Sequence, residues 1–242
     1  MGKGALLLKT LVVIPTYNEA ETISATLNQI LDLHSDFLIL VVDDNSPDRT
    51  ADLVRNHFGK IERIELLQRR AKEGLGVAYL DGFAWAFSRG FERIVQMDAD
   101  GSHRPSDLQT LVSASVRADL VLGSRWISGG EVLNWPALRM SISRIGNRYA
   151  RFILGTSIAD MTSGYRVYRA EFLKQLVSTH VSSHGYSFQV ELAYRASKSG
   201  EVVEVPITFI ERVNGESKMT LAIVLEALTK VTLWGLKRVF AN

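Results

Sequence analysis

The chain has 242 residues, of which 46% are hydrophobic and 22% are charged, and its formal net charge is +2 at pH 7. This composition supplies enough apolar side chains for a packed core and excludes an intrinsically disordered chain. Cysteine is absent, which excludes a disulfide framework and a thiolate metal site. No uncharged apolar stretch is long enough to suggest a membrane-spanning helix, so we expect none.

Charge is distributed unevenly along the chain. Residues 1–122 carry 13 basic and 17 acidic side chains, a net charge of −4, whereas residues 123–242 carry 15 basic and 9 acidic side chains, a net charge of +6. The first part therefore offers carboxylates to a metal ion. The second part is suited to phosphates or to an anionic surface.

Short β-branched runs alternate with helical patterns in the first half of the chain. Strands are predicted at residues 11–14, 37–42, 62–67, 92–97 and 119–122. Helices are predicted between them at residues 19–33, 48–58, 77–89 and 106–117. This alternation favours an α/β, Rossmann-like fold with a mostly parallel sheet flanked by helices on both faces. In such a sheet, ligands bind at the carboxyl ends of the strands.

The pattern is less regular after residue 123. We predict a loop over 129–136, an amphipathic helix over 138–154, a strand near 165–169, a helix near 186–198, a strand over 202–209 and a last amphipathic helix over 219–240. No clear linker is present. We therefore expect one catalytic domain over residues 1–220, with residues 221–242 as a helix packed on that domain, on a membrane or on a partner.

The strongest local signal is Asp98-Ala99-Asp100, directly after a predicted strand. Two carboxylates one residue apart can face the same cation, and Mg²⁺ or Mn²⁺ would take further oxygens from a diphosphate. An Asp-x-Asp sequence alone also occurs in ordinary surface turns. Three more polar segments favour the metal site: Pro15–Glu19 and Val42–Asp48 follow the first two strands, and Lys72–Gly76 precedes a helix whose N-terminus can approach phosphate.

In order and spacing, these segments resemble the family-2 glycosyltransferases of the GT-A fold, over residues 10 to about 125. Further segments are similar to the dolichol- and polyprenol-phosphate mannosyltransferases: Asp98–Pro105, Gly123–Arg125, Ser163–Tyr168, Tyr186–Glu191 and Arg212–Lys218. This second resemblance extends to about residue 220. It implies an inverting enzyme that transfers mannose from GDP-mannose to a polyprenyl phosphate, with Mg²⁺ or Mn²⁺ as its cofactor.

The resemblance also implies roles for individual residues. The guanosine would be framed by Pro15, Tyr17, Glu19, Val42 and Asp44. The residues that would contact the metal and the diphosphate are Asp98, Ala99 and Asp100, and Asp100 is the first choice of a direct metal ligand. Ser102 stands where some relatives place a glutamine in the metal sphere, and we count it with Asp98 and Asp100 as a metal-site residue, since a hydroxyl or a water can take the place of the glutamine. Phosphate charge would be countered by Arg125, Arg212 and Lys218, which we count with Asp100 as the catalytic residues. The lipid phosphate would be held by Arg125, Arg139 and Ser143.

The predicted helix over residues 138–154 carries basic and apolar faces. Arg144, Arg148 and Arg151 lie on one face, opposite an apolar arc formed by Leu138, Ile142, Ile145, Tyr149, Phe152 and Ile153. This pattern is typical of a helix in a membrane interface, and equally of a helix packed on a sheet. We expect a cytoplasmic enzyme that is peripheral to the cytoplasmic face of a membrane, with a separate integral membrane protein as a further partner and no nucleic acid.

Two alternative functions stay open. One is a related transferase that uses UDP-glucose or another nucleotide sugar with a polyprenyl phosphate or a glycan. The other is a non-catalytic nucleotide-binding or scaffold protein, against which the Asp98/Asp100 pair argues. A dinucleotide-dependent oxidoreductase is disfavoured, because no Gly-x-Gly-x-x-Gly follows the first strand. The histidines support no catalytic triad, and His103 is interpreted as a structural residue or one that acts through a neighbour.

Overall fold

The computed structural model describes residues 9–181, 183, 185–211 and 221–240. The strands are β1 (Thr10–Thr16), β2 (Leu38–Asp43), β3 (Ile64–Gln68), β4 (Arg93–Gln96), β5 (Leu120–Ser124), β6 (Glu131–Leu133), β7 (Arg166–Arg169), β8 (Val202–Pro206) and β9 (Thr208–Ile210). The helices are α1 (Ile23–Leu33), α2 (Thr50–Phe58), α3 (Leu75–Phe87), α4 (Leu108–Ala114), α5 (Ala137–Leu154), α6 (Ala170–Leu176), α7 (Gly185–Ser199) and α8 (Leu221–Phe240). A 3₁₀ turn, Pro105–Asp107, precedes α4.

Seven strands form the central sheet in the order β3-β2-β1-β4-β7-β5-β8. Parallel pairing joins β1 to β2 and β4, β2 to β3, and β5 to β8. Only β7 of these strands runs against its neighbours, since it is antiparallel to both β4 and β5. The predicted α/β fold with a mostly parallel sheet is therefore confirmed.

Successive side chains of β1 point to opposite faces of the sheet, and helices cover both faces. Leu11 and Val13 belong to a core shared with α3, α6 and α7, while Val12 and Ile14 belong to a second core shared with α1, α2 and α4. All four side chains are fully buried. Burying a side chain of this size stabilises the fold by about 1.5–3 kcal/mol. The sheet is thus a rigid platform for the polar segments at its strand ends.

The second half of the chain differs from the prediction in three places. The predicted loop over 129–136 contains β6, which pairs in parallel with β9. The predicted strand over 202–209 is two strands, because Pro206 has no N–H to continue the ladder and the chain leaves the main sheet after it. The seven-residue helix α6 was not predicted, because it is too short to show a helical period.

The last helix, α8, packs against α5 and α7. Val231 is buried in the core that α3, α6 and α7 share, and the Tyr149 hydroxyl lies 2.7 Å from the Thr232 hydroxyl. Gly235 lets α8 approach α5 closely, since a Cβ there would lie 2.3 Å from the Ile153 side chain. This helix therefore covers part of the core that α5 and α7 leave open.

The predicted faces of α5 are arranged differently from the expectation. Its core face is Asn147, Ala150 and Leu154. Of the predicted apolar arc, Leu138, Ile145 and Phe152 are 73%, 66% and 82% exposed, and Arg144, Arg148 and Arg151 are exposed beside them. Tyr149 and Ile153 are half-buried against α8. Within the described ranges, no helix combines the length and hydropathy needed to cross a bilayer.

Candidate active site

The polar segments predicted at the strand ends meet at one edge of the sheet. β1 and β2 run in register, with Thr16 opposite Asp43, and β4 lies on the other side of β1 with Gln96 opposite Val13. Because these strands are parallel, the residues that follow each of them emerge at the same edge. The Thr16 hydroxyl donates to the Asp43 carboxylate at 2.8 Å and ties the first two strand ends together.

Asp44, the residue after β2, is held by a buried arginine that the sequence did not point to. The Arg69 guanidinium pairs with the carboxylates of Asp44, Glu73 and Asp81, and its Nε lies 2.7 Å from the Asp81 carboxylate. Asp44 also accepts the backbone N–H of Gly74 at 3.2 Å. Asp44 therefore joins the end of β2 to the start of α3.

The other residues expected at the guanosine lie around the ends of β1 and β2. Lys72 Nζ lies 3.7 Å from the centre of the Tyr17 ring, which brings the glycine-containing segment before α3 next to β1. Val42 is buried within β2, and Pro15 is half-buried within β1. The Glu19 carboxylate accepts the Thr22 hydroxyl at 3.1 Å at the start of α1.

Asp98 and Asp100 both line a cleft that opens beside β4, while Ala99 between them is buried. The Ala99 carbonyl accepts the Thr26 hydroxyl at 3.1 Å, so the backbone is fastened on the side away from the cleft. Asp100 Oδ1 accepts the backbone N–H of Ser102 at 3.1 Å and its hydroxyl at 2.6 Å. Gly101 has a φ of +75°, a left-handed conformation that glycine adopts without strain. The tight turn thus directs both carboxylates to the same space.

Tyr79 of α3 supports the first carboxylate. Its hydroxyl donates to Asp98 Oδ1 at 3.2 Å. Burial, reinforced by the charge of Asp98, raises the pKa of Tyr79 well above its usual value. The phenol therefore stays protonated and remains a donor to Asp98.

The arrangement fits a divalent cation that is shared with a diphosphate. The described residues contain no group of three or more His, Cys, Asp or Glu side chains placed to hold a metal ion by themselves. Asp98 and Asp100 could supply a partial shell of hard oxygen ligands, and Mg²⁺ commonly completes such a shell with phosphate oxygens and water. Ser102 is 1% exposed, and its hydroxyl donates a hydrogen bond to Asp100. This bond helps to fix the position of the Asp100 carboxylate.

Arg125, which follows β5, lies in the same cleft in a buried ion pair. Its Nε and Nη2 each lie 2.7 Å from the Asp160 carboxylate, and Nη2 also donates to the Thr162 hydroxyl at 2.9 Å. Burial alone raises the pKa of Asp160, but the charge and hydrogen bonds of Arg125 outweigh it and lower the pKa below the usual value. Sequence reasoning missed Asp160, whose partner is 35 positions away.

Arg139 and Ser143, on the first turns of α5, line the same cleft as the carboxylates. The Arg139 guanidinium stacks over Trp135 at 4.1 Å, and its Nη1 lies 2.5 Å from each oxygen of Glu211. Glu211, also missed by the sequence reasoning, is the last described residue before the segment 212–220. The predicted Arg212 and Lys218 lie outside the described residues.

The cleft changes from polar to apolar along its length. Its polar end contains Asp98, Asp100, Arg125, Arg139 and Ser143. Its other end runs between α5 and α8 and is lined by Ile142, Gly146, Tyr149, Ala150, Ala227, Leu228 and Val231. Such a cleft can hold an anionic head group between arginines and carboxylates while an apolar chain lies between the two helices.

Residues 11–177 match the family described as Glycosyl transferase family 2. Over 230 residues the chain is 46% identical to the undecaprenyl-phosphate mannosyltransferase of Micrococcus luteus, covering 95% of each protein. It is also 46% identical over 232 residues to the polyprenol monophosphomannose synthase of Mycolicibacterium smegmatis, covering 95% of this chain and 88% of that protein.

A solved structure shares the fold. It is a mannosyltransferase from Pyrobaculum calidifontis in complex with GDP-Man and Mn²⁺, with a TM-score of 0.61 and 15% sequence identity. The match covers 96% of this chain and 74% of that protein. At this identity the likeness establishes the GT-A type of fold and nothing about substrates.

Proposed function

The chain belongs to glycosyl transferase family 2, and we propose that it transfers mannose from GDP-mannose to a polyprenyl phosphate. The products are polyprenyl-phosphate mannose and GDP, so the activity is that of a dolichyl- or polyprenyl-phosphate β-D-mannosyltransferase. The observation that carries the proposal is the cleft, which joins two carboxylates and two arginines to an apolar space between α5 and α8. Two relatives with 46% identity, both named for mannosyl transfer to a polyprenyl phosphate, support it.

The donor would lie along the strand ends. Guanosine would be framed by Pro15, Tyr17, Glu19, Val42 and Asp44, as the family resemblance implies. The diphosphate would reach the carboxylates of Asp98 and Asp100, which would hold Mg²⁺ or Mn²⁺. When bound, the cation neutralises charge on the diphosphate and makes GDP a better leaving group.

The acceptor would occupy the opposite side of the same cleft. Arg125, Arg139 and Ser143 would receive its phosphate, which has to displace Glu211 from Arg139. A lipid phosphate is already anionic near neutral pH, so this chain needs no general base to activate it. Its oxygen forms a bond to C1 of mannose while the bond from C1 to the diphosphate oxygen breaks, and one in-line displacement inverts C1.

The protein supplies placement and charge to this reaction. Arginine side chains let two anions approach each other, and fixed positions remove the entropic cost of bringing them together. Arg212 and Lys218 would add positive charge from the segment 212–220, which we propose to close over the phosphates. The buried ion pair with Asp160 fixes the position of the Arg125 guanidinium.

We place the enzyme at the cytoplasmic face of a membrane as a peripheral protein. Leu138, Ile145 and Phe152 expose apolar surface on α5, and Arg144 and Arg148 are exposed beside them. This combination suits an interface with anionic lipids. It would bring the apolar end of the cleft to the lipid, and a separate integral membrane protein would then serve only for more stable anchoring.

A donor comparison tests the proposal against its nearest alternative. The protein is incubated with polyprenyl phosphate and either GDP-mannose or UDP-glucose at equal concentration, and release of GDP or UDP is measured. We expect release of GDP that depends on the lipid phosphate, with little release of UDP. Preferential turnover of UDP-glucose would assign the chain to the related glucosyl transfer instead. Lack of lipid-dependent turnover with either donor would contradict the proposal.

A further inference from the structure

His103 is a buried histidine that the proposed reaction does not use. It is 1% exposed and follows the Asp98–Asp100 turn. We propose that His103 is a positioning residue, which fixes the direction of the Asp98 carboxylate and thereby the strength of metal–diphosphate binding. The inference rests on the proposed function, because it assumes that Asp98 meets the cation.

The hydrogen bond between His103 and Asp98 determines where the imidazole carries its proton. The backbone N–H of Asp98 donates to His103 Nδ1 at 3.0 Å. A ring nitrogen that accepts a hydrogen bond carries no proton, so the neutral ring is protonated at Nε2. His103 Nε2 lies 3.9 Å from Asp98 Oδ2. That separation is too long for a hydrogen bond, so His103 acts on Asp98 through the backbone N–H that its Nδ1 accepts.

Aromatic packing prevents the ring from turning. His103 stacks on Tyr165 with ring centres 4.8 Å apart, and the Phe209 ring meets it edge-on at 5.7 Å. A backbone bridge also joins His103 to Phe209 of β9. Gly164 lies against the pair, since a Cβ there would be 3.4 Å from His103 Cε1 and 3.5 Å from Asp98 Oδ2. These contacts hold the imidazole in the orientation in which Nδ1 accepts the Asp98 N–H.

The two oxygens of Asp98 have different neighbours. Tyr79 donates to Oδ1 at 3.2 Å, whereas His103 Nε2 lies 3.9 Å from Oδ2, beyond hydrogen-bond distance. Groups that orient a metal ligand without touching the metal typically change metal affinity or activity by 10- to 100-fold when they are removed. Removing the acceptor at Nδ1 would also break the hydrogen bond that the Asp98 N–H donates, so the turn that aims the carboxylate would relax.

Two amide substitutions separate this role from simple packing. In His103→Asn the side-chain oxygen stands close to the position of Nδ1 and can accept the Asp98 N–H. In His103→Gln the amide reaches the position of Nε2 and leaves a methylene near Nδ1. Both variants are polar and close to histidine in size, so they differ mainly in which ring nitrogen they replace. His34→Asn is the control, because His34 is a buried histidine bonded to the Pro105 carbonyl.

The measurement is Mn²⁺ binding to the complex of the protein with GDP, by calorimetry or electron paramagnetic resonance, together with the thermal midpoint. We expect His103→Gln to weaken Mn²⁺ binding about 10- to 100-fold, while His103→Asn and His34→Asn stay near wild type. In transfer assays, KM for GDP-mannose should rise in His103→Gln.

The possible failures are distinguishable. Equal Mn²⁺ affinity of His103→Gln and wild type would overturn the positioning role and leave the proposed function standing. An equal loss in His103→Asn and His103→Gln would also overturn it, because the acceptor at Nδ1 would then be irrelevant. A wild-type protein that binds no Mn²⁺ in the presence of GDP would overturn the proposed metal site together with the inference.

Discussion

Loss of the Asp100 side chain should remove transfer without disturbing the fold. Its carboxylate faces the cleft, and its hydrogen bonds from Ser102 stay within one turn. We expect Asp100→Ala to abolish mannosyl transfer, because the cation loses a carboxylate ligand, and to leave the thermal midpoint near wild type. Asp52→Ala, which removes an exposed carboxylate paired with Arg55 on α2, should keep full activity. Near-normal transfer by folded Asp100→Ala would contradict the metal assignment.

The buried pair of Arg125 and Asp160 gives stability a defined pH dependence. In the folded protein the pKa of Asp160 lies below the ordinary aspartate value of 3.8, so the pair stabilises the fold fully above pH 3.8. That contribution is lost as the pH falls through the folded-state pKa. Asp160→Asn removes the negative charge that faces the Arg125 guanidinium and should cost about 3–5 kcal/mol at neutral pH.

Urea denaturation of wild type and Asp160→Asn between pH 3 and pH 7 checks this expectation. The difference in the free energy of unfolding should be constant at neutral pH and should shrink below about pH 4. A difference that does not change with pH would mean that the charge of Asp160 contributes nothing. Transfer by Asp160→Asn should also fall, since Arg125 lines the cleft.

At the residue scale, local patterns predicted part of the site, and long-range contacts completed it. Asp98 and Asp100 could be found because they follow a buried strand in sequence. Arg69 and Asp160 could not, because their partners Asp44 and Arg125 are 25 and 35 positions away and only the fold brings them together. The run Arg69-Arg70 after a predicted strand was a weak signal that sequence reasoning did not use.

Helix α5 tests the membrane assignment at the scale of one element. Its arginines Arg144, Arg148 and Arg151 are exposed. We expect replacement of all three with glutamine to weaken binding to anionic vesicles and to raise the apparent KM for long-chain lipid phosphate. Each arginine near an anionic surface contributes about 1 kcal/mol, screened over about 8 Å at physiological salt. Affinity for GDP-mannose should change little.

Vesicle co-sedimentation across a range of salt concentrations measures this effect. A matched control replaces Lys60, Arg117 and Lys174 with glutamine, since these cations are also exposed and lie outside α5. The control should sediment with vesicles as wild type does. Unaltered binding of the α5 variant would move the anchoring role to α8 or to a partner protein.

The segment 212–220 carries the proposed closing charges. We expect Arg212→Ala and Lys218→Ala each to lower kcat about 10- to 100-fold, because each removes a charge-assisted contact of about 1.5–3 kcal/mol. Lys174→Ala on α6, an exposed lysine, serves as the control. Steady-state kinetics with saturating acceptor provide the measurement. Wild-type kinetics in both variants would contradict a closing role for this segment.

Element prediction succeeded where the chain is regular and failed where pairing decides the outcome. Helix α5 was predicted over 138–154 and spans Ala137–Leu154, since its period is clear over eighteen residues. The antiparallel direction of β7 could not be predicted, because strand direction depends on the partners β4 and β5. β6 has three residues, too few to show a strand pattern in the sequence, and it is recognised as a strand by its pairing with β9.

At the scale of the whole molecule, the acidic and basic parts of the sequence both contribute side chains to one cleft. The acidic first part supplies Asp98 and Asp100, and the basic second part supplies Arg125 and Arg139. The antiparallel strand β7 lies between β4 and β5 and so brings the two parts together in one sheet. Helix α8 then covers α5 and closes the apolar end of the cleft.

The most direct test of mannosyl transfer to a lipid phosphate follows the sugar itself. The protein is incubated with GDP-mannose labelled in the sugar, Mg²⁺ and polyprenyl phosphate, and the mixture is extracted into organic solvent. We predict that label moves into the organic phase in proportion to the GDP released, and that omitting either the lipid phosphate or the cation abolishes this movement. Label that stays in the aqueous phase while active protein, cation and acceptor are all present would contradict the proposed reaction.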